Sequence, residues 1–155
     1  MAYRYVVQIG DEVLRRECKE VKKFDKELWD LLDDMKETVR AENGAGLAAP
    51  QIGIGLRVVV IDLEEGYFEM INPKILSTKG EQTGQEGCLS VKGKHGTVTR
   101  PYKVKAEYRD RTGKKHTVTG VDLFARCMCH EFDHLDGVLY VDKAESVEDD
   151  KEDKE

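Results

Sequence analysis

The sequence predicts a single α+β domain. Three stretches carry that reading: an amphipathic helical pattern ahead of residue 43, a run of strand and turn patterns from about Tyr67 to Gly120, and a second helical pattern holding two histidines four residues apart. A chain of 155 residues fits one domain. At about this length close to 70% of the unfolded surface is buried, so a core forms without disulfide staples.

Each element has a local reason. Between Asp25 and Glu42 the apolar residues Phe24, Leu28, Leu31, Leu32, Met35 and Val39 recur at spacings of three and four, which lines one helix face. Asp25 is the expected N-cap, and Asn43-Gly44 is a stop signal. A glycine-rich loop follows, Gly44-Ala45-Gly46-Leu47-Ala48-Ala49-Pro50-Gln51, and then Leu56 to Leu63 reads as a buried strand. Val104 to Tyr108 and Lys115 to Thr119 flank the turn Asp110-Arg111-Thr112-Gly113, a hairpin. The second helix is expected from near Asp122 to near Asp136, closed by Gly137. Mixed or antiparallel sheets are expected around it. The domain covers residues 1–147. From Glu148 to Glu155 there are six acids and two lysines and no apolar residue, which predicts a solvated, disordered tail.

Composition narrows the function classes. Charged residues are 36% of the chain, above the usual ~25%. The net charge of −6 argues mildly against a nucleic-acid-binding face, which would normally be basic, and does not exclude a local basic patch. No stretch approaches the ~18 apolar residues of a membrane span. The opening Met1-Ala2-Tyr3-Arg4-Tyr5 has no apolar leader, so a cytoplasmic location is expected. There Cys18, Cys88, Cys127 and Cys129 are reduced, metal-binding or catalytic rather than paired.

The chemistry lies on the second helix. His130-Glu131-Phe132-Asp133-His134 is an H-E-x-x-H segment, and residues four apart share a helix face, so both imidazoles can reach one ion. Glu131 follows His130 and can take a proton from a water the ion activates. A catalytic site of this type has three protein ligands and an open position. Tyr140 stands where one known extension of the motif has its third histidine, so the third ligand is sought upstream. Cys127 shares the helix face but projects one turn away, which suits packing. Cys88 sits in a loop between glycines and a short strand, and spacing alone does not decide between a ligand and a small buried hydrophobe.

Three segments together resemble peptide deformylase: Gly44 to Gln51, Glu86-Gly87-Cys88-Leu89-Ser90, and His130 to His134. The similarity extends over about Tyr5 to Asp142 and includes Gly10-Asp11-Glu12-Val13-Leu14-Arg15. The resemblance implies a hydrolase that removes the formyl group from the N-terminal formyl-methionine of newly made polypeptides. It implies Cys88, His130 and His134 as ligands of one divalent ion, usually Fe2+, with Ni2+, Co2+ or Zn2+ as substitutes. It also implies Glu131 as the acid–base group, and Gln51 with the backbone N–H of Leu89 as donors to the formyl oxygen. Gly46 matches a residue whose backbone meets the substrate; Gly87, Leu123, Arg126 and Cys127 match the methionine pocket. The chain departs from many relatives at Glu12, Lys92, His95 and Cys129, none of them a ligand. Some relatives dock on the ribosome through a basic C-terminal helix, which the acidic tail here does not match. The competing readings are a hydrolase with Cys88 as nucleophile, a closed zinc module that recruits Cys127 or Cys129, and a degenerate deformylase that binds nascent chains without turnover.

Overall fold

In the computed structural model, which describes residues 2–150, helix α1 spans Lys26–Ala41 and helix α2 spans Leu123–Leu135. Asp25 caps α1, its side chain accepting from the Leu28 N–H at 3.3 Å. The apolar stripe Leu28, Leu31, Leu32, Met35 and Val39 is buried against Val58, Val60 and Ile71. The helix ends where Asn43 turns left-handed, a conformation asparagine tolerates.

Eight strands follow in chain order: β1 Gly46–Ala48, β2 Val58–Leu63, β3 Gly66–Lys79, β4 Gln82–Cys88, β5 Val91–Arg100, β6 Lys103–Arg109, β7 Lys115–Val121 and β8 Ser146–Asp149. They form two sheets of antiparallel pairs, ordered β1-β2-β3-β6-β7 and β4-β5-β8. The hairpin expected around residues 110–113 is β6–β7, held by Asp110, whose carboxylate accepts from the Thr112 and Lys114 N–H groups.

The second helix is the centre of the fold. Phe124, Ala125, Met128, Phe132 and Leu135 pack with Val59, Ile61, Met70, Val104 and Ala106 in one cluster. A methyl on Gly120 would lie 2.8 Å from Phe124 and Met128, so strand β7 and the helix meet at a position only glycine fits. The helix C-terminus is clamped. Leu135 O accepts from the Cys18 N–H at 2.8 Å and from Arg57 Nη1 at 3.1 Å, and Gly137 O accepts from Arg15 Nη1 at 3.3 Å. Arginine at this end also complements the helix dipole.

The expected boundary after Val147 shifts. Val147, Glu148 and Asp149 continue as β8, paired with Gly96, His95 and Lys94 of β5. Lys94 Nζ meets Asp149 at 2.6 Å and His95 Nδ1 meets Asp150 at 2.7 Å, so this part of the acidic run is matched by a basic strand edge. The rest of the expected tail, residues 151–155, lies outside the described residues. No described helix is long and apolar enough to cross a membrane.

Candidate active site

Strand β4 and helix α2 bring the chemistry together. Cys88 closes β4, at the turn into β5, while His130 and His134 project from one face of α2. The thiol and one nitrogen of each imidazole lie within 4.8 Å of one another, and Cys88 Sγ is 3.4 Å from His134 Nε2. Among the described residues this is the group able to hold an ion, and neither Cys127 nor Cys129 joins it. One thiolate and two imidazoles form a donor set that several divalent ions accept.

The charges fit a cation. Burial holds His134 well below the usual histidine range, so it stays neutral, the form that ligates. Burial also opposes charge on His130, but hydrogen bonding to Cys88 and Glu86 outweighs it and holds His130 at about 10. Both partners favour positive charge at this point. His130 Nδ1 is 2.8 Å from Glu86 Oε1, which fixes the ring and leaves Nε2 for the ligand cluster.

Glu86 is the residue whose role the sequence concealed. Its side chain is 3% exposed, and it accepts from Arg100 Nε and Nη2 at 2.9 Å each and from Arg126 Nη1 at 2.6 Å. Arg100, 2% exposed, reaches on to Asp133 Oδ2 at 2.7 Å. Burial raises the Glu86 pKa, but His130 and Arg100 outweigh it and hold the carboxyl far below its usual range. A ligating histidine commonly donates its other N–H to a carboxylate, but spacing does not say which of 31 acids would do so.

A cleft of about 420 Å³ opens onto this cluster. Its lining includes Gly46, Gln51, Gly87, Leu89, Leu123, Arg126 and Cys127 with Cys88, His130 and Glu131. Every site residue expected from the sequence therefore borders one cavity, except His134, which lies behind it at 1% exposure. The Arg126 guanidinium is engaged by Glu86 and Val98 O. His95, a departure from many relatives, pairs with Asp150.

Two neighbours are set by backbone. Gln51 Oε1 accepts from the Ala48 N–H at 2.9 Å, so its Nε2 must point the other way, toward Ser90 Oγ at 3.2 Å and Cys88 Sγ at 3.5 Å. Glu131 lies against Gly46: a methyl there would sit 2.8 Å from Glu131 Cγ and Oε2. Glu131 Oε1 is buried without a hydrogen-bond partner among the described residues. Burial, with Glu86 adding, pushes its pKa up to about 7 against the opposing pull of His130. Gly46→Ala should displace this carboxylate, and a shift of about 1 Å costs on the order of 100-fold in rate. Kinetics of the folded variant, with metal content measured alongside, check this; turnover within about twofold of the parent would contradict it.

Cys88 is partly exposed and the other three thiols are buried. Burial pushes Cys18 and Cys129 up to about 11 and Cys127 up to about 12, so all three are protonated at pH 8. After chelation, iodoacetamide should alkylate Cys88 alone in the folded protein, as read by peptide mass mapping. Comparable labelling of Cys18, Cys127 or Cys129 would be the contrary result.

An antiparallel α+β shell around an H-E-x-x-H helix that faces a cysteine loop defines a metal-dependent hydrolase. A sequence model of the polypeptide deformylase family matches residues 3–150. The chain is 54% identical over 144 residues to the peptide deformylase of Thermoanaerobacter pseudethanolicus, covering 93% of this chain and 91% of that one. Among solved structures, the Legionella pneumophila deformylase superposes with a TM-score of 0.89 at 44% identity, over 92% of this chain and 86% of that one. The Thermotoga maritima enzyme does so with 0.90 at 37%, over 94% and 99%. This chain belongs to the polypeptide deformylase family.

Proposed function

We propose that Cys88, His130 and His134 hold one divalent ion, and that Glu131, Gln51 and the Leu89 N–H carry out removal of the formyl group from the formyl-methionine of newly made polypeptides. The observation that supports this most is the convergence of three ligand atoms within 4.8 Å beside a buried carboxylate oxygen that has no other partner. When bound, the ion supplies a Lewis acid that makes water nucleophilic near neutral pH.

The residues divide the remaining work. The methionine side chain enters the pocket formed by Gly87, Leu123, Arg126 and Cys127, beside Glu131. The peptide runs extended between β1 and β4, which are edge strands of separate sheets, and Gly46 lets its backbone come close. Gln51 Nε2 and the Leu89 N–H donate to the formyl oxygen as negative charge grows there, and each such donor is worth roughly 100- to 1000-fold in rate. Glu131 takes the proton of the attacking water and passes it to the departing amine. The products are formate and a free N-terminal methionine.

The ion proposed is Fe2+, with Ni2+, Co2+ or Zn2+ able to replace it, and the location proposed is the cytoplasm. Formate release from formyl-Met-Ala by anaerobically purified protein, with metal analysis, tests the reading. The iron form should lose activity quickly in air and the nickel form slowly. Absence of formate from protein holding one ion per chain would sink the proposal.

A further inference from the structure

The outer face of β3, β6 and β7 is basic, in a chain whose net charge is −6. Directly opposed residues of an antiparallel pair point to the same side of the sheet. The register sets Lys79 opposite Lys103 and Lys103 opposite Val121. One step along, Ser77, Lys105 and Thr119 stand in line. Val104 and Ala106, the alternating residues of β6, are buried in the core, so Lys103 and Lys105 face outward. Lys79, Lys103 and Lys105 are all exposed.

Among the described residues, none of these three ammonium groups makes an ion pair. Two other cations of this sheet and its hairpin are matched: Arg111 meets Asp33 and Glu69, and Lys115 meets Glu107. Like charges directly opposite one another destabilise a sheet, so folding alone does not favour Lys79 across from Lys103. The hydroxyls of Ser77 and Thr119 flank Lys105 and are short, which leaves the ammonium tips prominent and adds donors suited to phosphate oxygens. From this face β7 leads from Val121 through Asp122 directly to Leu123 on the cleft wall.

We propose that the face carrying Lys79, Lys103 and Lys105 is a sequence-independent docking surface for the phosphate backbone of RNA. Three cations and two hydroxyls on one sheet face suit repeated phosphates. Docking there would hold the cleft mouth beside the RNA. The proposal stands apart from the catalytic reading, because binding is measured without turnover.

The test is fluorescence anisotropy with a labelled RNA duplex of about 20 base pairs, titrated at about 50 to 200 mM KCl. Wild-type protein should bind with a micromolar Kd at the lowest salt. The log–log salt slope should be about 3, falling by about one for each lysine removed. The triple variant K79Q/K103Q/K105Q should lose at least about tenfold in affinity. A control of equal charge change, K19Q/K22Q/K23Q, should stay within about twofold. Lys103→Glu supplies a fold check: it sets an acid opposite Lys79, so its melting temperature should hold or rise while RNA binding falls. Formate release should be unchanged in all of these. The proposal is overturned if wild-type protein fails to bind, if the two triple variants lose affinity equally, or if polyglutamate competes as well as RNA.

Discussion

Replacing Glu131 by alanine is expected to lower formate release by at least about 100-fold while the bound ion stays in place. The two halves of that result have separate causes. Glu131 is adjacent to a ligand in sequence, but its carboxylate is not among the three grouped donors, so metal content should not change. What disappears is the proton carrier. Its Oε1 is buried with no partner among the described residues, Gly46 leaves space for its side chain, and burial brings its pKa up to about 7. A group that titrates near the working pH is suited to take a proton and give it back. Glu131→Gln keeps the shape and should lose as much, which separates proton transfer from packing. Turnover near the wild-type rate in either variant, with one ion per chain, would remove Glu131 from the mechanism.

The second large effect is expected at Glu86. Glu86→Ala leaves the Arg100 and Arg126 guanidiniums without this partner in a region where their side chains are 2% and 10% exposed. Removing one member of a buried ion cluster costs about 3–5 kcal/mol. It also frees His130 Nδ1, and loss of such a support lowers metal affinity by about 10- to 100-fold. Glu86→Gln should recover part of the stability, since the amide oxygen still accepts, but not the neutralisation of two arginines. Urea unfolding and metal titration on the same samples check both parts. A loss below about 1 kcal/mol in Glu86→Ala would mean that the cluster reorganises, and the positioning role would then fail with it.

How much of this was legible before the structure depended on whether a signal was local. Helix α2 lies within one residue of its expected limits because a 3.6-residue period and a glycine stop are written in neighbouring residues. The same holds for α1, whose N-cap Asp25 was readable, and for the β6–β7 hairpin. The pairing of β3 with β6 across an interval of strands, and of β8 with β5, was not readable, because register is set by residues far apart in sequence. Charge misled in one place. Glu148 and Asp149 read as disordered on composition; they are exposed, as expected, but lie in β8, where Lys94 and the β5 edge provide partners. At the site, spacing on α2 pointed to packing for Cys127 and left Cys88 undecided between a ligand and a small buried hydrophobe. The structure sets Cys127 in the cleft wall and brings Cys88 to the histidines through the turn between β4 and β5. Glu86 was visible as a letter beside Cys88, but burial of a carboxylate between two arginines and an imidazole is a tertiary fact.

The three grouped donors do not belong to one layer. Cys88 ends a strand of the small sheet, and the histidines sit on a helix packed against the large one, with Cys88 and His134 46 positions apart in sequence. An ion held by both sides acts as a reversible rivet between the two layers. Since the unfolded chain does not preform such a site, occupancy adds to the free energy of unfolding, by about 2.7 kcal/mol at a hundred times the dissociation constant. With the ion held as proposed, the lifetime of the folded chain in the cell would follow the local supply of free metal, and starvation for the ion would lower the amount of this protein as well as its activity.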